Sequence, residues 1–300
     1  MWRVLVVMDP TTWASMPRRK QEYDEATDTL IRQSTVNQMD LCGYRTMLST
    51  NPGYLEPVSE PMVFGTALHY MVAENITGVP SLELLSTMDE WVEQILIEEY
   101  DWSLDQVPNI RDFFSELSSA FTMWKTVVQP SLPESPPPVI EQEMFLPLGE
   151  GERGTIILKG TPDVVYEDYI VDWKTSGRAW KESKAHHSIQ VDAYMALVKQ
   201  NLGVSVRDFV FWVYNRRGRE WVAIPTSRKV ADINASLTRL LDYGRMLEAG
   251  NFFATPTSDT FGDVKRGWYC SAKYCGAWNV CPAKFLNDDT DEKELAIRSW

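Results

Sequence analysis

Two aspartates and one lysine near the middle of the chain have the residue types and the spacing of a hydrolytic site. Asp172 and Lys174 stand two positions apart, and Asp163 stands eleven positions before the lysine. Because alternate residues of a strand leave the same face, Asp172 and Lys174 should project together, while Trp173 points the other way, into whatever covers the sheet. A turn at residues 167–168 would fold the preceding residues back as a hairpin and bring Asp163 beside them.

The chemistry that these three side chains could perform is phosphodiester hydrolysis. Two carboxylates make an oxygen-ligand site for a hard divalent cation, and a lysine within reach can orient or deprotonate an attacking water. The alternative is a surface hairpin that carries an ion pair, and an Asp-x-Lys triplet alone is common enough to mean only that. The hydrolytic interpretation therefore needs support from other parts of the chain.

Two further patterns place polar side chains on helix faces. His69 stands four residues after Gly65, so both share one face, and the missing side chain of Gly65 permits close approach of another backbone. His69 is a candidate third metal ligand that would suit Mn2+ better than Mg2+, although a partly buried aromatic side chain is the alternative. Gln190 and Tyr194 also share a face, and they could hold Lys174 or a substrate phosphate, unless their helix is an ordinary amphipathic one.

The four cysteines are candidate metal ligands. Cys270, Cys275 and Cys281 fall close together, and Cys42 stands far upstream. Disulfides are not expected in a reducing compartment, so the cysteines are either buried hydrophobic side chains or ligands. Four thiolates suit an iron-sulfur cluster or structural zinc, and the four residues between Cys270 and Cys275 exceed the usual zinc spacing of two. A metal held by all four would join the two ends of the chain.

The composition is that of a folded globular protein, with 44% hydrophobic residues. The apolar stretch before Asp9 is too short for a signal peptide or a membrane span, so we expect a cytoplasmic protein without membrane contact. The net charge of -13 excludes a diffuse basic surface for nucleic acid, so any DNA contact must be local. Four loops rich in basic residues are either such contacts or solvated loops. They are 18–20, 178–184, 216–219 and 265–266.

The apolar periodicity predicts three successive parts of a single domain over residues 1–300. Helical spacing dominates first, a run of prolines ends it, and strand-like alternation follows. The parts are a helical region (34–130), a catalytic sheet core (138–226) with a helix (184–202), and a C-terminal helix with the cysteine segment (227–300). The core would begin with a strand over residues 139–148, on which Glu141 and Glu143 share a face, and either could approach the acidic site.

Together these motifs resemble the RecB-type branch of the PD-(D/E)XK nucleases, and within it the iron-sulfur exonucleases that include the AddB nuclease domain and the CRISPR-associated adaptation nucleases. The motifs are Cys42-Gly-Tyr-Arg, the Gly-x-x-x-His helix ending at His69, Gly160-x-x-Asp163, Asp172-Trp-Lys174-Thr, Gln190-x-x-x-Tyr194, and the clustered cysteines ending in Cys281-Pro282. No single motif is decisive, but their order and spacing rarely arise by accident. The resemblance implies an α/β, restriction-endonuclease-like fold, with a mixed central sheet flanked by helices, an N-terminal helical region and a C-terminal cysteine-ligated metal-cluster segment.

The resemblance also implies roles for the motif residues. His69, Asp163 and Asp172 would bind Mg2+ or Mn2+, Lys174 would serve the attacking water, and Gln190 and Tyr194 would stand near the DNA. Cys42, Cys270, Cys275 and Cys281 would hold a [4Fe-4S] cluster, with structural Zn2+ as the alternative. The cysteine pattern departs from the family, which usually places two residues between its second and third cysteines and often has a proline where Gly43 stands. No Walker-type nucleotide-binding motif occurs, which indicates a stand-alone nuclease domain.

These features predict a metal-dependent DNA exonuclease that acts at a free DNA end in recombination or repair, with a phage as candidate source and a recombination protein as candidate partner. One alternative is a noncatalytic DNA-binding or recombination accessory protein with the same fold. Others are a CRISPR spacer-acquisition nuclease and a zinc-stabilised interaction protein. Trp173, Trp180 and Trp212 are candidates for stacking on bases, with burial in the core as the alternative for each.

Overall fold

The computed structural model describes residues 24, 26–49, 58–134, 137, 139–252, 275 and 281. The helices are α1 (Gln33–Leu41), α2 (Gly43–Ser49), α3 (Glu60–Thr77), α4 (Ser81–Ser86), α5 (Met88–Tyr100), α6 (Ile110–Met123), α7 (Glu182–His186), α8 (Ile189–Leu202) and α9 (Val230–Glu248). The strands are β1 (Thr29–Ile31), β2 (Val139–Ile140), β3 (Met144–Glu150), β4 (Thr155–Gly160), β5 (Val164–Val165), β6 (Tyr169–Ser176), β7 (Asp208–Asn215) and β8 (Glu220–Ser227). None of the helices in this part of the chain is long and apolar enough to cross a membrane.

A five-stranded mixed sheet forms the centre of the protein. Its strand order is β2-β5-β6-β7-β8, with β6 and β7 parallel and the other neighbours antiparallel. Parallel neighbours need a long crossover connection, and α7 and α8 lie in the segment that joins β6 to β7. The mixed sheet and its flanking helices agree with the predicted restriction-endonuclease-like α/β architecture.

A smaller sheet has the order β1-β4-β3 and takes up part of the strand predicted over residues 139–148. That prediction of one strand is wrong, because the chain leaves the large sheet after β2 and resumes as β3 in the small one. Glu141 lies at the break with a φ of 43°, a left-handed conformation that a strand cannot contain. Glu141 and Glu143 therefore do not share a strand face.

The predicted hairpin at the centre of the large sheet is confirmed. Val164 pairs with Val171, and the Tyr166 N–H donates to the Tyr169 carbonyl at 2.9 Å across the turn. Trp173 points away from the two charged neighbours on its strand, as predicted. It is 1% exposed and meets Trp124 edge to face, with 5.8 Å between the ring centroids.

Two hydrophobic clusters cover opposite faces of the large sheet. The first joins helices α3, α5 and α6 to Val171 and Trp173. The second joins helices α8 and α9 and the small sheet to Ile170 and Phe211. Because side chains alternate along β6, its even-numbered residues face the second cluster, so Asp172 lies on the side that α8 covers.

Candidate active site

The hairpin of β5 and β6 fixes Asp163 beside the strand that carries Asp172 and Lys174. Strand β5 begins at Val164, so the Trp173 N–H, farther along β6, has no β5 residue opposite it. The Asp163 carboxylate accepts a hydrogen bond from this N–H, with 2.7 Å from the Trp173 nitrogen to Oδ2. Asp172 is completely buried, and its Oδ1 forms an ion pair with Lys174 Nζ.

Helix α8 covers this acidic group and orients Asp172. Gln190 Nε2 donates a hydrogen bond of 2.7 Å to Asp172 Oδ2, so Gln190 holds Asp172 rather than Lys174. Tyr194, one turn later, is 6% exposed, and burial, then the charges of Asp172 and Asp163, raise its pKa to about 12. The helix packs this closely because Gly160 has no side chain, since a Cβ there would stand 3.0 Å from Tyr194 Cε1.

Helix α3 brings His69 to the same place. Its Nδ1 lies 3.6 Å from Asp163 Oδ2, and the side chain is 26% exposed. Gly65, one turn earlier, faces β6, where an added Cβ would stand 3.1 Å from Thr175 Oγ1. The close neighbour of Gly65 is thus a side chain and not the backbone that was expected. The structure therefore brings His69, Asp163, Asp172 and Lys174 together.

Burial and mutual repulsion shift the pKa values of these groups. Burial, then repulsion by Asp163, raises the pKa of Asp172 to about 7. Burial also raises the pKa of Asp163. Desolvation, then the charge of Lys174, lowers the pKa of His69 to about 4, so its imidazole is neutral at pH 7 and keeps a nitrogen lone pair. Burial acts to lower the pKa of Lys174, but Asp172 and Asp163 outweigh it and raise that pKa.

Glu141 is a further acid next to this site. Its N–H donates to the Asp163 carbonyl at 2.8 Å. Although Glu141 reaches solvent, partial burial of its carboxyl and then the charges of Asp163 and Glu74 raise its pKa to about 7. Glu143 does not approach the site, because its Oε1 pairs with Lys159 Nζ at 2.5 Å.

The three tryptophans predicted as base-stacking candidates differ in exposure. Trp173 is buried in the core, as the burial interpretation predicts, and cannot reach a base. Trp212 is partly buried against the same cluster. Trp180 is partly buried and packs on Phe211, with 5.3 Å between the ring centroids.

The predicted metal-ligand sets are not preassembled in the described part of the chain. There, no three His, Cys, Asp or Glu side chains form a group placed to bind a metal ion. Cys42 is buried, Cys275 and Cys281 are partly exposed, and Cys270 lies outside the described residues. At the acidic site, the Lys174 ammonium is the ion-pair partner of Asp172.

Comparison with known proteins gives the class that this fold and site define. A family model described as the PD-(D/E)XK nuclease superfamily matches residues 33–282. The chain therefore belongs to the PD-(D/E)XK nuclease superfamily, whose members are typically metal-dependent nucleases and generally use Mg2+ or Mn2+. This match supports the RecB-type resemblance and does not extend to its iron-sulfur exonuclease branch.

One of the similar solved structures is the crystal structure of SSO0001. The match has a TM-score of 0.35 and 15% sequence identity, and it covers 88% of this chain and 89% of that chain. No curated protein matches the chain.

Proposed function

We propose that the chain is a divalent-metal-dependent deoxyribonuclease that digests DNA from a free end. The observation that supports this best is the meeting of His69, Asp163, Asp172 and Lys174 in a chain of this superfamily. The alternative of an ion pair on a surface hairpin does not fit the complete burial of Asp172, because a surface pair leaves both charges in water.

The residues at the site fit a divalent cation by the chemistry of their donor atoms. Asp163 and Asp172 offer hard oxygens, and neutral His69 offers a nitrogen, so these three residues would hold the ion. Asp172 Oδ1 is buried and, apart from its ion pair with Lys174, lacks a hydrogen-bond partner among the described residues. When bound, the cation supplies Lewis acidity at the scissile phosphate.

We assign to Lys174 the contact with the attacking water and the scissile phosphate. Its ammonium is held by Asp172, and its side chain lines an open groove. From there it would position the attacking water and stabilise the negative charge that develops on the phosphate. Gln190 is a positioning residue that fixes Asp172, and Tyr194 stands one turn later on the same helix, within electrostatic range of Asp172.

Free-end digestion and a role in recombination or repair are proposed from the resemblance to the exonuclease branch. A noncatalytic DNA-binding or recombination accessory protein is the main alternative. Such a protein would have no use for a buried carboxylate held by an ammonium and an amide, so the arrangement around Asp172 favours the nuclease. A CRISPR spacer-acquisition nuclease would use the same site, and DNA cleavage assays do not distinguish it.

The test is incubation of end-labelled single-stranded, double-stranded and covalently closed circular DNA with Mg2+ or Mn2+. We expect linear DNA to shorten from its ends, closed circles to stay intact, and chelation of the metal to stop the reaction. Asp163→Asn and Asp172→Asn should abolish cleavage. Asp168→Asn is the matched control, because Asp168 is exposed in the turn between β5 and β6.

Two results would contradict the proposal. Cutting of closed circles would show an endonuclease. Folded wild-type protein that binds DNA but cuts none of the substrates with either metal would identify the accessory protein instead.

A role for the cysteines is supported only by the resemblance to the iron-sulfur exonuclease branch. We expect Cys42, Cys270, Cys275 and Cys281 to hold a [4Fe-4S] cluster, with structural Zn2+ as the alternative. Anaerobically purified protein should then be brown and contain about four iron atoms and four sulfides per chain. Zinc without iron would identify the zinc site, and the absence of both metals would refute ligation by the cysteines.

A further inference from the structure

A groove of about 1130 Å³ opens beside Lys174. The end of β6, the loop over residues 177–181, helix α7 and the start of α8 form it. Arg178, Lys181 and Lys184 line it together with Lys174, and none of its lining residues is acidic. This concentration of positive charge is unusual in a chain whose net charge is -13.

The three outer cations of the groove are available to a ligand. Arg178, Lys181 and Lys184 are all exposed. Among the described residues, no carboxylate forms an ion pair with any of them, whereas several other basic side chains are paired. Several cations that line one groove give it a positive potential, which attracts an anionic ligand.

Lys184 is held in place by an aromatic ring. Its Nζ lies 3.8 Å from the centroid of the Trp180 ring, which in turn packs on Phe211. This cation-π contact orders the ammonium and leaves its charge uncompensated. Burial, then the charge of Lys174, lowers the pKa of Lys184, which places the two ammonium groups within electrostatic range.

The wall that carries these cations is fixed by a buried ionic network. Arg228 Nη2 donates to the carbonyls of Ala185 and Ser188 at 3.0 and 3.1 Å, at the end of α7. Its Nε pairs with Asp192 of α8 at 2.9 Å. Helix α7 is thereby tied to β8 and α8, so the groove is preformed.

The acids at the site do not line the groove. Lys174 and the groove are basic, whereas Glu141 lies against Asp163 and is within electrostatic range of Glu74. A polyanionic strand is therefore attracted to the groove.

We propose that this groove binds the sugar-phosphate backbone of the substrate strand on one side of the scissile bond, with Arg178, Lys181 and Lys184 contacting phosphates that lead to Lys174. The inference rests on the proposed nuclease function and adds where the strand lies.

The salt dependence of binding gives the expected size of the effect. Each lost phosphate contact lowers the slope of log affinity against log salt by about 0.7 for single strands and about 0.9 for duplex DNA. Removal of three contacts should lower the slope by about 2 to 3. Between 50 and 200 mM salt, the wild type should therefore lose about 20- to 40-fold more affinity than the variant.

The experiment is fluorescence anisotropy with a labelled oligonucleotide, in EDTA so that no strand is cut. The test protein is Arg178→Ala/Lys181→Ala/Lys184→Ala. Its matched control is Arg111→Ala/Lys199→Ala/Arg207→Ala, which changes the net charge equally at exposed residues that do not line the groove. A charge-conserving variant, Arg178→Lys/Lys181→Arg/Lys184→Arg, should keep the wild-type slope. Thermal melting establishes that each variant is folded.

A reduced slope in the test variant alone supports the proposal, and a rise in KM with kcat within about twofold should accompany it in Mg2+. Equal slopes for the test variant and the wild type, or an equal reduction in the control, would overturn it. If the wild type cleaves DNA but the test variant keeps the wild-type salt slope, DNA binding in the groove is refuted and the nuclease function is not. If binding shows the expected slopes but no DNA is cleaved, the nuclease function is refuted and DNA binding in the groove is not.

Discussion

Two clusters near the end of strand β6 each contain two carboxylates and one cation. They differ in how many of the carboxylates the cation contacts. In the first, Arg216 donates four hydrogen bonds of 2.7 to 2.9 Å, two to Glu60 and two to Glu116. Its guanidinium also lies 4.0 Å from the ring centroid of Phe64. In the second, Lys174 contacts Asp172, while Asp163 relies on the backbone N–H of Trp173.

The difference follows from the shapes of the two cations. A guanidinium presents a planar fork that can bind two carboxylates at once, whereas an ammonium is a compact point charge. The Arg216 cluster is complete without a ligand. The Lys174 cluster leaves the pKa of Asp172 raised to about 7 by burial and then by Asp163, so it gains from an added cation. A structural ion cluster and a candidate active site thus differ in whether the charges of their carboxylates are fully compensated.

The largest effect should come from removing the cation of the second cluster. Lys174→Ala should slow single-turnover cleavage of end-labelled DNA about 100- to 1000-fold, because a charge aimed at the reacting phosphate is lost. Lys199→Ala, at an exposed position on α8, is the control and should cleave at the wild-type rate. An unaltered rate in folded Lys174→Ala protein would remove Lys174 from the mechanism and with it the distinction between the clusters.

The converse experiment removes the cation of the first cluster. Arg216→Met should lower the free energy of unfolding by about 3 kcal/mol, because Glu60 and Glu116 stay partly buried without a partner. Urea denaturation measures this loss, and the folded fraction should keep its cleavage rate within about threefold.

A compensating variant checks the cause of that loss. Glu60→Gln/Glu116→Gln/Arg216→Met removes all three charges and should recover part of the stability. If it is no more stable than Arg216→Met, the unpaired carboxylates are not the cause.

The Lys174 cluster could be predicted from sequence because its elements are local. A turn between alternating residues fixes the hairpin of β5 and β6, and spacing by two or four positions fixes which side chains share a face. Spacing placed His69 on one helix face with Gly65, and its residue type made it a candidate ligand, but spacing could not show that this helix packs beside Asp163. Its role and those of Asp163, Asp172 and Lys174 stay predictions until activity is measured.

The Arg216 cluster could not be predicted in the same way. Residues 216–219 read as a solvated loop or a DNA contact, and Arg216 is neither, because its partners stand 100 and 156 positions away. The break at Glu141 was also hidden, since apolar alternation carries no signal of a left-handed backbone. Contacts between residues far apart in the sequence and single unusual dihedral angles depend on the tertiary structure, so one sequence does not reveal them.

A smaller effect should appear in the pH dependence of stability without metal. The folded pKa of Asp172 lies near 7, above its unfolded value, so the folded protein binds more protons across that window. The stability from the protonated carboxyl is therefore present at low pH and is lost as pH rises towards 7. His69, whose pKa is lowered to about 4, changes the stability with pH in the opposite direction. The variant described next keeps His69.

Asp172→Asn isolates this contribution. The variant should gain stability relative to wild type by up to about 2 to 3 kcal/mol between pH 5 and pH 8, measured by urea denaturation in EDTA. Saturating Mg2+ should narrow the gap by stabilising the wild-type carboxylate. A difference between the two proteins that does not change with pH would show that Asp172 is ionised in the folded protein throughout this range.

The smallest effect tests whether the packing of α8, rather than the charges themselves, sets the geometry of the second cluster. In Gly160→Ala, the new Cβ would stand 2.6 Å from Leu197 Cδ1 and 3.0 Å from Tyr194 Cε1, so the Leu197 side chain or α8 must shift, and we expect α8 to move and carry Gln190 with it. We expect a loss of about 1 to 2 kcal/mol of stability and about tenfold in cleavage rate. Gly160→Ala/Leu197→Ala relieves the closer contact, so its stability loss should be smaller than the sum of the two single losses. Additive losses would mean that α8 absorbs the methyl group without moving, so the packing of α8 at Gly160 would not set the position of Asp172.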